Sequence, residues 1–124
     1  MIGALELEAF GKLLAFDHSL MRTSLASLYE RVRRYPVGAS LSTQSVESIC
    51  RAVDSACIWY WKTVLCLQRS AATTCLLRRH GRAAWLVVGA QQLPFRAHAW
   101  VELDGVVVND KPYIRDTYLV LDRL

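Results

Sequence analysis

The chain is poor in the residues that mark a loose or repetitive protein. Six glycines and three prolines in 124 residues are too few for a collagen-like, low-complexity or linker-rich chain, and no segment repeats. The four cysteines, Cys50, Cys57, Cys66 and Cys75, form no CxxC pair and have no histidine pair beside them, so no zinc site is expected. No uncharged run approaches the roughly 20 apolar residues that a membrane helix needs, so no membrane role is read. The opening residues MIGALELEAFGKLLAF carry Glu6 and Glu8 but no basic segment and no small-residue cleavage site. Without a secretory signal the expectation is a reduced, cytoplasmic protein. Charge of one sign does not dominate either: 15 basic against 11 acidic residues leave +4, a mild excess that would favour an acidic peptide or weak nonspecific nucleic-acid contact and decides nothing alone.

What the sequence has is core. With 53% hydrophobic residues and this length, one domain can form that buries about two thirds of its surface on folding. The expected division within it is a helical N-terminal part over 1–62 and a C-terminal part over 63–124.

Residues 4–16 place Leu5, Ala9, Phe10, Leu13 and Leu14 at helical spacing, and this helix is expected to end near Asp17. A second follows, capped by Asp17 or Ser19, with Leu20, Met21, Leu25 and Leu28 on its buried face. Arg31, Arg33 and Arg34 lie near its C-terminus, and Pro36 stops it. Ser42 or Thr43 would cap a third, whose buried set is Val46, Ile49, Cys50, Val53, Cys57 and Tyr60. The rings Trp59, Tyr60 and Trp61 close it, as core or as one wall of a groove.

Residues 65–81, LCLQRSAATTCLLRRHG, are patterned as a helix with a thiol at its first turn, basic residues in its last turn and Gly81 just beyond. The free amides at a helix N-terminus favour thiolate over thiol, the form that acts as a nucleophile, so Cys66 is the candidate nucleophile. After this helix the period changes. Residues 83–89 read as a short strand buried on both faces, and 95–103 alternate, with Phe95, Ala97, Ala99, Val101 and Leu103 on one side and Arg96, His98, Trp100 and Glu102 on the other. Residues 106–108 return the chain and 118–121 form a last strand. The fold class is α+β: N-terminal helices and a nucleophile helix packed on a small antiparallel sheet.

A thiol hydrolase needs a nucleophilic cysteine, an imidazole and an acceptor that orients the imidazole. His98 is the candidate imidazole because it stands mid-strand; His18 falls at a helix junction and His80 at a helix C-terminus. Asp104 and Asp110 compete as acceptor, and the turn decides between them. A two-residue Asp104-Gly105 turn would put Asp110 opposite Ala99, away from His98. A three-residue loop, Leu103 to Gly105, would pair His98 with Asp110. The three-residue loop and Asp110 are the expectation, with Asp104 a turn residue and Glu102 a surface carboxylate.

The segments CLQRSAATTCLLRRHG, AAWLVVGAQQLPFRAHAWVELDG and VVVND resemble the transglutaminase-like cysteine peptidase domain of lasso peptide biosynthesis. The resemblance runs from about Cys66 onward, roughly half the chain. It implies a transglutaminase/papain-like core and the triad Cys66, His98 and Asp110. It implies cleavage of the leader from a ribosomally made precursor through a thioester acyl-enzyme, with no cofactor and no metal. It also implies three partners: the precursor peptide, a separate small leader-recognition protein and an ATP-dependent macrolactam synthetase, since the helical residues before Cys66 resemble the standalone form. The same triad would serve an acyltransferase or cross-linking transglutaminase, and a catalytically silent peptide-binding module is the reading from another class. Of the oxyanion hole, the Cys66 amide is one expected donor.

Overall fold

The computed structural model describes residues 3–92 and 94–124. Helix α1, Ala4–His18, starts where Glu6 turns back to accept the Gly3 amide at 2.8 Å, and it buries Ala9, Leu13 and Phe16. It runs past Asp17 into a π-helical turn, Ser19–Thr23. Asp17 is not free to cap anything, because its carboxylate accepts the Tyr60 hydroxyl at 3.0 Å and pairs with Lys62. Ser19 is buried and accepts from Arg31. The cap of α2, Leu25–Arg34, is therefore Ser24 instead, whose Oγ accepts the Ser27 amide at 3.1 Å. This helix buries Leu28 and Val32 and stops before Tyr35 and Pro36, since a residue ahead of proline is pushed out of the helical region.

The cap of α3, Val46–Trp59, is likewise displaced from the expected position. Ser45 accepts the Ser48 amide at 3.1 Å, while Ser42 is drawn away to the His80 ring, with Oγ 2.8 Å from Nδ1. Ile49, Ala52, Val53 and Ala56 form the buried stripe of α3.

Helix α4, Cys66–Arg79, is buried at Gln68 and at every position from Ser70 to Arg78. A helix covered on all sides sits at the centre of its domain: α1 and α3 lie against it and the sheet covers another side. Leu76 and Leu77 are fully buried, so truncating either to alanine costs about 2–5 kcal/mol. Gly81 ends the segment with φ +86, as the last-turn pattern anticipates, and a Cβ there would lie 2.5 Å from the Ser40 carbonyl oxygen.

Four antiparallel strands follow: β1 (Trp85–Gln91), β2 (Arg96–Leu103), β3 (Val106–Val107) and β4 (Leu119–Arg123), in the spatial order β3-β2-β1-β4. The chain is α+β, helices first and then a meander whose last strand returns to the outer side of β1. Between β3 and β4 lies a single helical turn, α5 (Ile114–Thr117). Of the run 83–89 expected to be buried on both faces, Leu86, Val87, Val88 and Gly89 are buried without a break, whereas Ala83 and Trp85 are exposed. Ala99, Val101 and Leu103 join the main core with the helices, as their alternation implies. On the opposite face Val87, Trp100 and Val107 form a second, smaller core, covered by Ile114 and Tyr118.

Two readings of the hairpin are corrected by this arrangement. The turn is the two-residue one: Leu103 pairs with Val106 and Glu102 with Val107. Asp104 and Gly105 both have positive φ, 52° and 78°, the backbone that a tight right-twisted hairpin requires and that Asp-Gly supplies. Glu102 is not a surface carboxylate. It is 1% exposed and accepts the Trp100 indole N–H at 2.9 Å while pairing with Arg123. Its row of the sheet faces the second core rather than solvent. No helix among the described residues is long and apolar enough to cross a membrane.

Candidate active site

Cys66 is the first residue of α4 and Leu65 is its N-cap. Leucine offers no side-chain acceptor, and no side-chain hydrogen bond caps the helix. The Leu67 and Gln68 amides are thus left without the partner that a serine, threonine or aspartate at the cap would have given them. Cys66 and His98 both line a groove of about 310 Å³. Leu25 and Tyr29 of α2 wall it on one side, and Val88 and Ala97 of the sheet on the other. Apart from the thiol, the imidazole and Tyr29, the residues lining the groove are apolar.

His98 is tied to Asp110. Its Nε2 donates to Asp110 Oδ2 at 2.7 Å, and the two side chains are 23% and 16% exposed. Burial raises the Asp110 carboxyl, but the His98 hydrogen bond, the Lys111 amide and the Arg69 charge outweigh it. The carboxyl is held below its ordinary value. Because Asp110 occupies Nε2, the proton of a neutral ring sits there and Nδ1 is the nitrogen with a free lone pair. Among the described residues no hydrogen bond joins Cys66 to His98; they meet by lining the same groove.

The sequence profile of the transglutaminase-like superfamily matches residues 11–123. The chain belongs to this superfamily. A 56-residue segment is 41% identical to the microcin J25-processing protein McjB of Escherichia coli, covering 45% of this chain and 27% of that protein. The chain thus spans about a quarter of the length of the curated relative it matches. No solved structure matches the chain. Both similarities agree with the resemblance to a transglutaminase-like domain of lasso peptide processing.

Within this transglutaminase-like chain, several residues around the site escaped the sequence reading. Gly89 pairs across the sheet with His98, and a Cβ on it would come within 2.8 Å of Trp100 and 2.9 Å of Tyr118. The missing side chain lets those two rings close under the imidazole, which stacks on Tyr118 at 5.4 Å and 21°. The only sequence signal for this was a glycine inside a strand, which often marks a close approach. Asn109 is the second omission. Its Oδ1 accepts the Val101 amide at 2.8 Å and its Nδ2 donates to Ser70 Oγ at 3.0 Å.

The other candidates are placed elsewhere. Asp104 is the exposed turn residue it was read as. His18 ends α1, and His80 is bonded to Ser42 and Glu8. Tyr60 is buried, whereas Trp59 and Trp61 are each 66% exposed. Burial pushes the Cys50 thiol up to about 11 and the Cys75 thiol up to about 12, and raises Cys57 as well. Those three are protonated and unreactive at neutral pH. Among the described residues no group of three or more His, Cys, Asp or Glu side chains is arranged to hold a metal ion.

Proposed function

We propose that this chain is a cysteine endopeptidase that removes the leader from a ribosomally synthesised lasso peptide precursor, with Cys66 as nucleophile, His98 as general base and acid, and Asp110 as the group that orients His98. One observation carries the reading. The 2.7 Å bond from His98 Nε2 to Asp110 leaves Nδ1 for proton transfer in the groove that also holds the thiol.

In this mechanism His98 Nδ1 takes the Cys66 proton, and Sγ attacks the carbonyl carbon at the leader junction. The oxyanion is met by the uncapped first-turn amides of α4, donors fixed in place before the reaction begins. The imidazolium then protonates the departing amine as the C–N bond breaks, leaving the leader as a thioester on Cys66. Water, deprotonated by His98, attacks the thioester carbonyl, and the thiolate leaves. Asp110 stabilises the imidazolium in both halves without taking its proton. No cofactor enters this scheme.

The similarity to a microcin J25-processing protein supports a precursor peptide as substrate. A separate leader-recognition protein and an ATP-dependent macrolactam synthetase are the partners proposed with it, and the cytoplasm is the proposed compartment. The test is to incubate the chain with a precursor and its leader-binding protein and to read product masses. Hydrolysis gives free leader and free core whose masses sum to the precursor plus one water. A new amide to an added amine, with no free leader acid, would instead mark an acyltransferase.

A further inference from the structure

The hairpin poses a geometric problem. Continuing its register from Leu103 with Val106 and Glu102 with Val107 would bring Asp110 opposite Ala99, on the face of the sheet away from His98, since neighbouring residues of a strand point to opposite faces. Yet Asp110 Oδ2 lies 2.7 Å from His98. The ladder must therefore break between Val107 and Asp110.

It breaks at Asn109. Val108 still donates its amide to the Val101 carbonyl at 3.0 Å. The return bond of that pair, in which Val101 would donate to a main-chain carbonyl of the opposite strand, is absent. The Asn109 side chain takes its place, Oδ1 accepting the Val101 amide at 2.8 Å. A side-chain amide has thus replaced a backbone carbonyl, so the Val101 donor stays satisfied while the backbone is free to leave the sheet. The chain bends over residues 108–110 as a result.

The bend is tied to the helix that carries the nucleophile. Asn109 Nδ2 donates to Ser70 Oγ at 3.0 Å, and Ser70 Oγ donates to the Ala99 carbonyl beside His98 at 3.1 Å. Arg69, one turn past Cys66, donates Nη2 to the Asn109 carbonyl at 3.1 Å, and its Nη1 is anchored on Asp54 at 3.2 Å. Ser70 is fully buried, so its alternatives to these bonds are few.

We infer that Asn109, clasped by Ser70 and Arg69 of α4, is the positioning residue that turns Asp110 onto His98 and fixes the imidazole relative to the nucleophile helix. The inference rests on the proposed role of Asp110 in cleavage, but its geometry can be tested without substrate. The hydrogen bonds of Asn109 go to Val101, Ser70 and Arg69, not to the thiol or the imidazole, and it acts through Asp110.

The test has two arms. In the first, the Asp110 carboxyl is titrated by ¹³C NMR in the wild-type chain, in Asn109→Ala and in Ser70→Ala. Asn109→Ala is expected to move the Asp110 titration up toward the usual carboxylate range, because the His98 bond is lost, and to expose the Val101 amide to faster hydrogen exchange. Ser70→Ala shifts it less, in the same direction, and serves alone if Asn109→Ala does not fold. A folded variant in which Asp110 still titrates as in wild type overturns the inference. In the second arm, cleavage is measured for Asn109→Ala, Asp110→Ala and the double variant. Asn109→Ala lowers kcat and leaves KM in place, and the double variant matches Asp110→Ala within about twofold. Losses that multiply overturn the inference, because a residue acting through Asp110 has nothing left to lose once Asp110 is gone. If Asp110→Ala cleaves at the wild-type rate, the proposed role of Asp110 fails, and the titration still decides what Asn109 does.

Discussion

His98 Nε2 and Asp110 Oδ2 are 2.7 Å apart across a hairpin whose register would send them to opposite faces. The bond gives the imidazole one proton-bearing nitrogen turned to the carboxylate and one lone pair turned elsewhere. It also sets how the three proposed catalytic residues should differ when removed. General acid–base catalysis is worth about 10²–10⁴-fold, so His98→Ala should lower kcat by that range. Asp110→Ala should leave more activity, since an imidazole that is poorly oriented still transfers protons. Steady-state cleavage of a precursor checks the order, and an Asp110→Ala chain less active than His98→Ala would contradict it.

Thiol chemistry separates the four cysteines. Burial pushes Cys50 to about 11 and Cys75 to about 12, and raises Cys57. A thiol whose value is raised is almost wholly protonated at pH 7 and reacts slowly. Limiting iodoacetamide at pH 7 should therefore label Cys66 first, read by peptide mapping. Equal labelling of all four would show that the site gives Cys66 no advantage.

The floor under the imidazole should be intolerant of a methyl group. Gly89→Ala would put a carbon 2.8 Å from Trp100 and 2.9 Å from the Tyr118 Cβ. Overpacking of this kind costs about 1–3 kcal/mol, and here the displaced rings are those under His98. The expected result is a lower denaturation midpoint together with slower cleavage. A variant as stable and active as wild type would mean that the stack is slack.

Removing the buried carboxylate of Glu102 should cost more than its place in the sequence suggests. Glu102→Ala strands the Trp100 indole N–H and leaves Arg123 without its partner. An unsatisfied buried donor costs about 1–3 kcal/mol, so urea unfolding should shift by that order. A shift near zero would place Glu102 among ordinary surface residues.

Acid should weaken the fold through Asp110 and Glu8. Burial raises both, but hydrogen bonds from His98 and His80 and nearby positive charge outweigh it, and both are held below their ordinary values. The folded state therefore binds these protons less readily than the unfolded chain does. Their contribution is whole above the ordinary carboxylate range and is lost as pH falls through that range toward their folded values. Unfolding midpoints between about pH 6 and pH 3 should show the loss, and Asp110→Asn should flatten part of it.

Helix α4 was legible because its signals are local: apolar spacing, basic last-turn residues and Gly81. The two displaced caps were not, because Ser19, Ser24, Ser42, Thr43 and Ser45 all have capping side chains, and tertiary bonds to Arg31 and His80 decided which were free. The alternation of β2 was read correctly, yet the burial of Glu102 was not. Its face is covered by Ile114 and Tyr118, residues far along the chain whose return no period reveals. Asp110 was reached by a loop of the wrong length. The Asp-Gly pair kept its usual two-residue turn, and the side chain of Asn109 supplied the displacement that the longer loop had been invoked to provide.

Cleavage as proposed passes through a thioester on Cys66. Rapid acid quench of the chain mixed with precursor and leader-binding protein, followed by intact and peptide mass spectrometry, measures it directly. A transient adduct on Cys66 with the mass of the leader acyl group is expected in the wild-type chain and not in Cys66→Ala, which should not cleave. An adduct on another cysteine, or cleavage that survives Cys66→Ala, would contradict it.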